Sequence, residues 1–228
     1  SVANLLLTPS PDGDENLLAE GVSQERIHRV GNVMIDSLFT NLQKSKSSKI
    51  HNELGIRSDY AVLTLHRPSN VDDKEIFSEI IGALEKIGKE IQLVFPIHPR
   101  AEKTAKSFGL YERLKAIPNI VLTGPVGYLD FVALMANSKM ALTDSGGLQE
   151  ETTALGIPCI TLRENTERPI TVTEGTNTIV GCDPELILKT AYEVLEGKGK
   201  AGRIPDLWDG KTSSRIADVI LQYIENGD

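Results

Sequence analysis

Cysteine is nearly missing from this chain, with Cys159 and Cys182 the only two in 228 residues. They are too few and too widely spaced for a disulfide framework or a zinc site, and they read as buried thiols in a reducing cytoplasm. Basic excess is missing too: 24 Lys+Arg against 32 Asp+Glu leaves a net charge of −8. An acidic chain lacks the basic stripe that phosphate neutralisation demands, which argues against a large nucleic-acid footprint. No apolar run approaches the ~18–20 residues of a membrane span, and no signal peptide is expected at the start. Of the four histidines, His28, His51, His66 and His98, no pair has helical metal-ligand spacing and no carboxylate cluster accompanies them, so no metal site is expected. His28 and His51 are expected at the surface. What is present is ordinary for a folded domain: 40% hydrophobic and 25% charged residues, in a length that suits one large domain or one domain with extensions. The chain opens on Ser1 instead of Met, which suggests a trimmed or partial polypeptide.

From about residue 59 onward, short β-branched runs alternate with longer helical patterns. The runs at 61–65, 92–95, 120–122, 140–143, 159–162 and 178–180 read as strands, most of them punctuated by Gly, Pro, Asn or Asp. Ile76, Phe77, Ile80, Ile81, Leu84 and Ile87 recur at helical spacing, with Asp72 and Asp73 placed to cap the start and Gly88 to end it. Asp183-Pro184 opens another helix, and Ile216, Val219, Ile220 and Tyr223 mark the apolar face of a last one. Such alternation requires parallel strands with crossover helices, hence an open, doubly wound α/β sheet.

The first 58 residues differ. A short helix ends near Gly21, a strand edge and turn lie at Arg29-Val30-Gly31-Asn32, and a helix follows from Met34 to about Lys44. The polar Lys44–Lys49 run reads as a solvated loop and as the domain edge, dividing residues 1–45 from 46–228.

Chemically interesting residues collect at one kind of place. His66-Arg67, His98-Pro99-Arg100, Gly124-Pro125, Asp144-Ser145-Gly146-Gly147 and Arg163 to Arg168 each follow a strand. Open parallel sheets bind ligands at that carboxyl edge. Gly146 and Gly147 let backbone approach a ligand, and the helix from Leu148 to Leu155 would aim free amides and a positive dipole end at a phosphate. An ordinary tight strand-to-helix turn fits the same four residues. On that helix Leu148, Thr152 and Leu155 form one stripe, predicted buried, with Glu150 opposite it and solvated. Glu151 lies beside the stripe, where a carboxylate requires a partner: a sugar diol, or a structural salt bridge. His66 and His98 read as phosphate donors, acid/base groups, or hydrogen-bonded strand-end residues.

Two literal motif matches fail on context. Gly197-Lys198-Gly199-Lys200-Ala201-Gly202 spells G-x-G-x-x-G but follows a helix and opens none. Gly210-Lys211-Thr212 resembles the end of a P-loop, yet Pro205 occupies the first glycine position. Neither argues for NAD or ATP.

Taken in order, Val30-Gly31-Asn32 with Asp36, Leu65-His66-Arg67 with Asn70, Thr143-Asp144-Ser145-Gly146-Gly147-Leu148-Gln149-Glu150-Glu151, Thr166-Glu167-Arg168-Pro169 and Asp209-Gly210-Lys211 resemble the C-terminal half of a non-hydrolysing UDP-N-acetylglucosamine 2-epimerase. The resemblance covers nearly the whole chain. It implies one Rossmann-like lobe of a two-domain, glycosyltransferase-B-like architecture, residues 1–45 being a remnant of the other lobe and the connection. It implies that Ser145, Gly146 and Gly147 hold a diphosphate, Glu151 the ribose, Phe131 the uracil and Arg168 a phosphate. His66, the catalytic candidate, would lie near the reacting sugar, with Arg67 and His98 lining the same site. No cofactor and no metal are needed. The implied reaction removes the C2 proton, expels UDP to give a glycal, and reverses with protonation on the other face. Its acid/base carboxylates belong to the N-terminal lobe, so this chain would lack the full catalytic set. The implied partners are a UDP-sugar, the missing lobe and, when complete, a second copy of the protein. The implied setting is cytoplasmic supply of cell-surface polysaccharide synthesis. Two other functions suit a similar lobe, a glycosyltransferase and a catalytically silent UDP-sugar-binding module.

Overall fold

Six of the strands in the computed structural model, which describes residues 3–225, join in one parallel sheet. A small two-stranded sheet precedes it, β1 (Leu6–Thr8) pairing in parallel with β2 (Ile27–Arg29) across the helix Pro11–Ala19. The main sheet comprises β3 (Tyr60–Thr64), β4 (Gln92–Pro96), β5 (Ile120–Thr123), β6 (Met140–Thr143), β7 (Cys159–Thr161) and β8 (Asn177–Ile179). Their order is β5-β4-β3-β6-β7-β8. The winding reverses between β3 and β6, and the crevice where such sheets take ligands opens there.

Alternation along the strands supplies both faces. Val62 and Val94 pack with Ile50, Tyr60, Ala133 and Leu134 on one side. Ala61, Leu63, Leu93 and Phe95 pack on the other with Phe77, Ile80, Ile81 and Leu84 of the helix Lys74–Glu90. A strand covered on both faces reads as a continuous apolar run, which is why these segments stand out in the sequence.

The helix Lys74–Glu90 begins where expected, with the Asp73 side chain accepting from the amides of Glu75 and Ile76. Asp72 instead pairs with Arg100. Gly88 does not end the helix but lies inside its last turn, where a Cβ would collide with the Pro118 carbonyl. The glycine marks a close backbone approach, not a stop. Asp183 caps the helix Pro184–Leu195 as the Asp-Pro pair predicts.

The Val33–Ser45 helix packs against the helix Tyr128–Ala136, through Ile35 and Leu38 meeting Val132, Met135 and the buried Trp208. The polar run after it is tethered: Ser45 is buried and Ser48 Oγ donates to Asp130 at 2.6 Å. His51 is half-buried, its Nε2 2.7 Å from the Tyr60 hydroxyl, a correction to its expected surface position. The last helix, Thr212–Glu225, is anchored by hydrogen bonds at its N-terminus. Asp36 takes the amides of Thr212 and Ser213 there at 3.0 and 2.7 Å. Beyond Thr212 its apolar residues are half-buried or exposed, Ile224 at 65%.

Candidate ligand-binding cleft

The cleft is organised by a carboxylate with no solvent exposure. Asp144, the first residue after β6, accepts through Oδ2 from the amides of His66 (2.9 Å) and Arg67 (2.8 Å), which follow β3. Asn70 Nδ2 reaches the same oxygen at 3.3 Å and the Leu162 carbonyl at 2.8 Å. Thr64 and Thr143, paired in the last rung of the β3–β6 ladder, join hydroxyls at 2.7 Å, and Thr143 Oγ1 also receives the Ser145 amide at 3.0 Å. The two turns flanking the switch point are therefore locked to each other by side chains of the strands that generate them.

Ser145 and the helix Gly146–Leu155 follow. Gly146 and Gly147 have negative φ, so they are not there for a left-handed turn. A Cβ on either would meet nothing closer than 3.8 Å, which leaves the amide end of a ten-residue helix open to a ligand.

Histidines and aromatics meet on the β3–β4–β5 side. His66 Nδ1 lies 2.7 Å from Asp144 Oδ1. A lone pair facing a carboxylate at that distance would be repelled, so Nδ1 carries the hydrogen and Nε2 faces the cleft. The rings of His66 and His98 lie 5.6 Å apart. His98 Nδ1 accepts the Arg100 amide at 3.1 Å, capping the helix Pro99–Ser107. Both rings line a cavity of about 400 Å³ with Leu65, Pro96, Val126 and Phe131. It is apolar apart from its histidine edge and is suited to a flat heterocycle.

The helix Gly146–Leu155 corrects one expectation. Glu150 is buried, not solvated, and its Oε1 meets Arg168 Nε at 2.7 Å. Burial pushes its carboxyl above the usual range, against the pull of Arg168. Of the predicted buried stripe, Thr152 is fully enclosed, while Leu148 and Leu155 are half-buried. Glu151 is also enclosed, and its Oε1 accepts from the Tyr128 hydroxyl at 2.7 Å. Burial raises the Glu151 pKa; the tyrosine hydrogen bond opposes this and the neighbouring Glu150 charge adds to it. Tyr128 escaped sequence reasoning, although it stands one turn before Phe131 on the same helix, the spacing that places two residues on one face.

After β7, Arg163 and Glu167 form a two-pronged ion pair at 2.8 and 2.7 Å. Gln149 braces that segment, taking the Thr166 hydroxyl and the Asn177 amide on its buried Oε1. Cys159 is buried and Cys182 half-buried, both as free thiols. Among the described residues no group of three or more His, Cys, Asp or Glu side chains is arranged for a metal, and no helix is long and apolar enough to cross a membrane.

An open helix N-terminus, a buried carboxylate one turn on and an apolar slot across the sheet edge meet at the switch-point crevice of one α/β lobe. The family model described as UDP-N-acetylglucosamine 2-epimerase matches residues 1–221, and the chain belongs to that family. It is 39% identical over 218 residues to a UDP-N-acetylglucosamine 2-epimerase of Methanococcus maripaludis, covering 89% of this chain and 60% of that protein. It resembles the Methanocaldococcus jannaschii UDP-GlcNAc 2-epimerase, solved with UDP-GlcNAc and UDP, at a TM-score of 0.86 and 38% identity. The match covers 96% of this chain and 61% of that one. The Neisseria meningitidis enzyme bound to UDP-GlcNAc matches at a TM-score of 0.82 and 28% identity, over 96% and 62% of the two chains. The chain thus spans about three fifths of the relatives it matches and has the fold of one lobe of a glycosyltransferase-B-like enzyme.

Proposed function

We propose that this chain is the UDP-holding lobe of an enzyme that interconverts UDP-N-acetylglucosamine and UDP-N-acetylmannosamine. One observation carries the reading: the open amide end at Ser145-Gly146-Gly147 stands one helical turn from the enclosed Glu151 carboxylate. One turn is about 5.4 Å, a span that lets one nucleotide reach both with its diphosphate and its ribose diol. In this assignment the diphosphate lies on Ser145, Gly146 and Gly147, with Arg67 and Arg168 as further cations. Glu151 accepts from the ribose hydroxyls, and the uracil enters the cavity lined by Phe131 and His98. His66 Nε2 faces the phosphate and sugar.

The chemistry breaks the C2–H bond and the C1–O bond to UDP, giving a glycal and free UDP. Protonation of C2 from the opposite face and return of UDP to C1 complete the inversion. This lobe's part is to stabilise and retain the leaving diphosphate, since the developing charge resides there. Residues 1–45 are a remnant of a second lobe and the connection to it; that lobe supplies the proton-transfer carboxylates, and the complete protein is a homodimer. Its setting is the cytoplasm, upstream of cell-surface polysaccharide synthesis.

Calorimetric titration of this chain with UDP, using UMP and NAD as controls, tests the site. Joined to the N-terminal lobe of a relative, the chain should incorporate deuterium at C2 of UDP-N-acetylglucosamine in heavy water, with no acceptor added. Acceptor-dependent transfer would identify a glycosyltransferase instead. UDP binding without exchange would mark a silent binding module.

A further inference from the structure

The position beside the helix end at Gly146 is not empty of negative charge. A Cβ on Gly146 would stand 3.8 Å from Glu167 Oε2, so the Glu167 carboxylate lies alongside the first residue of the helix. Both of its oxygens are taken by Arg163, whose side chain is only 12% exposed, whereas Glu167 is 55% exposed. Arg67 also acts on Glu167 electrostatically, and its own Nε is buried without a partner. Arg163 first, and more weakly Arg67, hold the Glu167 carboxyl down at about 2, so it is charged at any working pH.

The asymmetry in exposure is informative. A guanidinium that is nearly enclosed requires an anion. The anion that contacts it, Glu167, lies on the solvent side, while the buried Asp144 acts on it only through space.

We propose that Glu167 is an internal counter-anion, standing beside the diphosphate position in the ligand-free lobe, and that the diphosphate displaces it from Arg163. This rests on the reading that the cleft binds UDP, and it adds Arg163 as a binding group and Glu167 as a selectivity device. A ligand must offer Arg163 at least as much charge as the carboxylate it replaces. A diphosphate offers two charged groups to the helix end and Arg163 together, where a monophosphate offers one. The lobe therefore favours UDP over UMP by more than the open helix end alone would give.

The test is titration of UDP and UMP into the chain and its Glu167→Gln variant, which keeps shape and removes charge. UDP affinity should rise about tenfold in the variant, since a charge-assisted two-pronged pair no longer competes. Adding Arg163→Ala to Glu167→Gln should abolish the gain. If Glu167 instead only positions Arg163, Glu167→Gln weakens UDP, and Glu167→Ala weakens it further. That result, or an unchanged affinity, overturns the proposal and leaves the UDP reading standing. Failure of both the parent chain and the variant to bind UDP overturns the UDP reading, and this inference with it.

Discussion

Asp144 holds His66 twice, through the backbone amide at 2.9 Å from Oδ2 and through the imidazole Nδ1 at 2.7 Å from Oδ1. One carboxylate thereby sets both where the turn after β3 runs and which way the ring faces. Because Asp144 has no solvent exposure, it cannot be compensated by water if its charge or shape changes.

Asp144→Asn follows from that geometry. An amide places a donor on one side of the group, so either the His66 and Arg67 amides lose their acceptor or the His66 ring must give up its Nδ1 hydrogen and turn to the other tautomer. Loss of a hydrogen bond to a buried charge costs about 1.5–3 kcal/mol. At 2–4 °C per kcal/mol for a protein of this size, the melting temperature should fall by roughly 3–12 °C. UDP binding should weaken in parallel. A variant as stable as the parent would mean that the two turns are held by something else.

Glu151→Gln should separate stability from binding. The folded Glu151 carboxyl titrates above its ordinary value, chiefly through burial. Its contribution to stability is then fully present below the unfolded pKa and is lost as pH rises through the folded one. At pH 7 the charged, enclosed form is a liability, and Gln can still accept from Tyr128. The variant should melt higher than the parent at pH 7, with the difference vanishing near pH 4, yet bind uridine nucleotides less well. Melting curves from pH 4 to 8 check the sign, and a lower melting temperature at pH 7 would contradict it.

Arg168 is tied to Glu150, so its removal has two effects. Arg168→Ala leaves a buried carboxylate without its cation. Arg168 is 46% exposed, so the loss should be about 1–2 kcal/mol, between the values for surface and buried pairs. Adding Glu150→Gln should restore most of that stability. It should not restore UDP affinity if Arg168 contacts phosphate. Urea unfolding and UDP titration of both singles and the double variant form the cycle.

Asp36→Ala should release the last helix. Three donors converge on the carboxylate, the amides of Thr212 and Ser213 and the Ser213 hydroxyl. Burial alone would raise the Asp36 pKa, but these bonds outweigh it and hold the carboxyl below its usual value. Loss of such a cap costs about 1–2 kcal/mol. Amide exchange should accelerate at residues 212–216 while the strands of the main sheet keep their protection. Equal protection in parent and variant would show that the helix is anchored elsewhere.

The six main strands and the polar edge after them were legible because both rest on local signals. Val62, Leu63 and Leu142 lie in short apolar runs that a doubly covered strand requires, and polar residues follow each run within one or two positions. The fate of Glu150 was not legible. Helical periodicity gives an angle around the helix axis, but it does not say what covers each side. The helix Gly146–Leu155 meets the Val33–Ser45 and Tyr128–Ala136 helices on one side and β6, β7 and β8 on another, with the Pro169–Thr173 helix beside it, so little of it faces water. Gly88 misled for a related reason: the carbonyl that excludes a side chain there belongs to Pro118, thirty residues away in sequence.

Composition, strand patterning and the order of short motifs were enough for the α/β class, the sheet edge where the polar residues collect and the family, since each depends on residues close in sequence. Partnerships required the folded chain. That Asp144 would clamp His66, that Glu167 would stand at the helix end, and that Tyr128 would donate to Glu151 depend on distances between segments 21 to 78 residues apart. Such distances are settled by how helices pack on the twisted sheet, and a one-dimensional pattern carries no term for them.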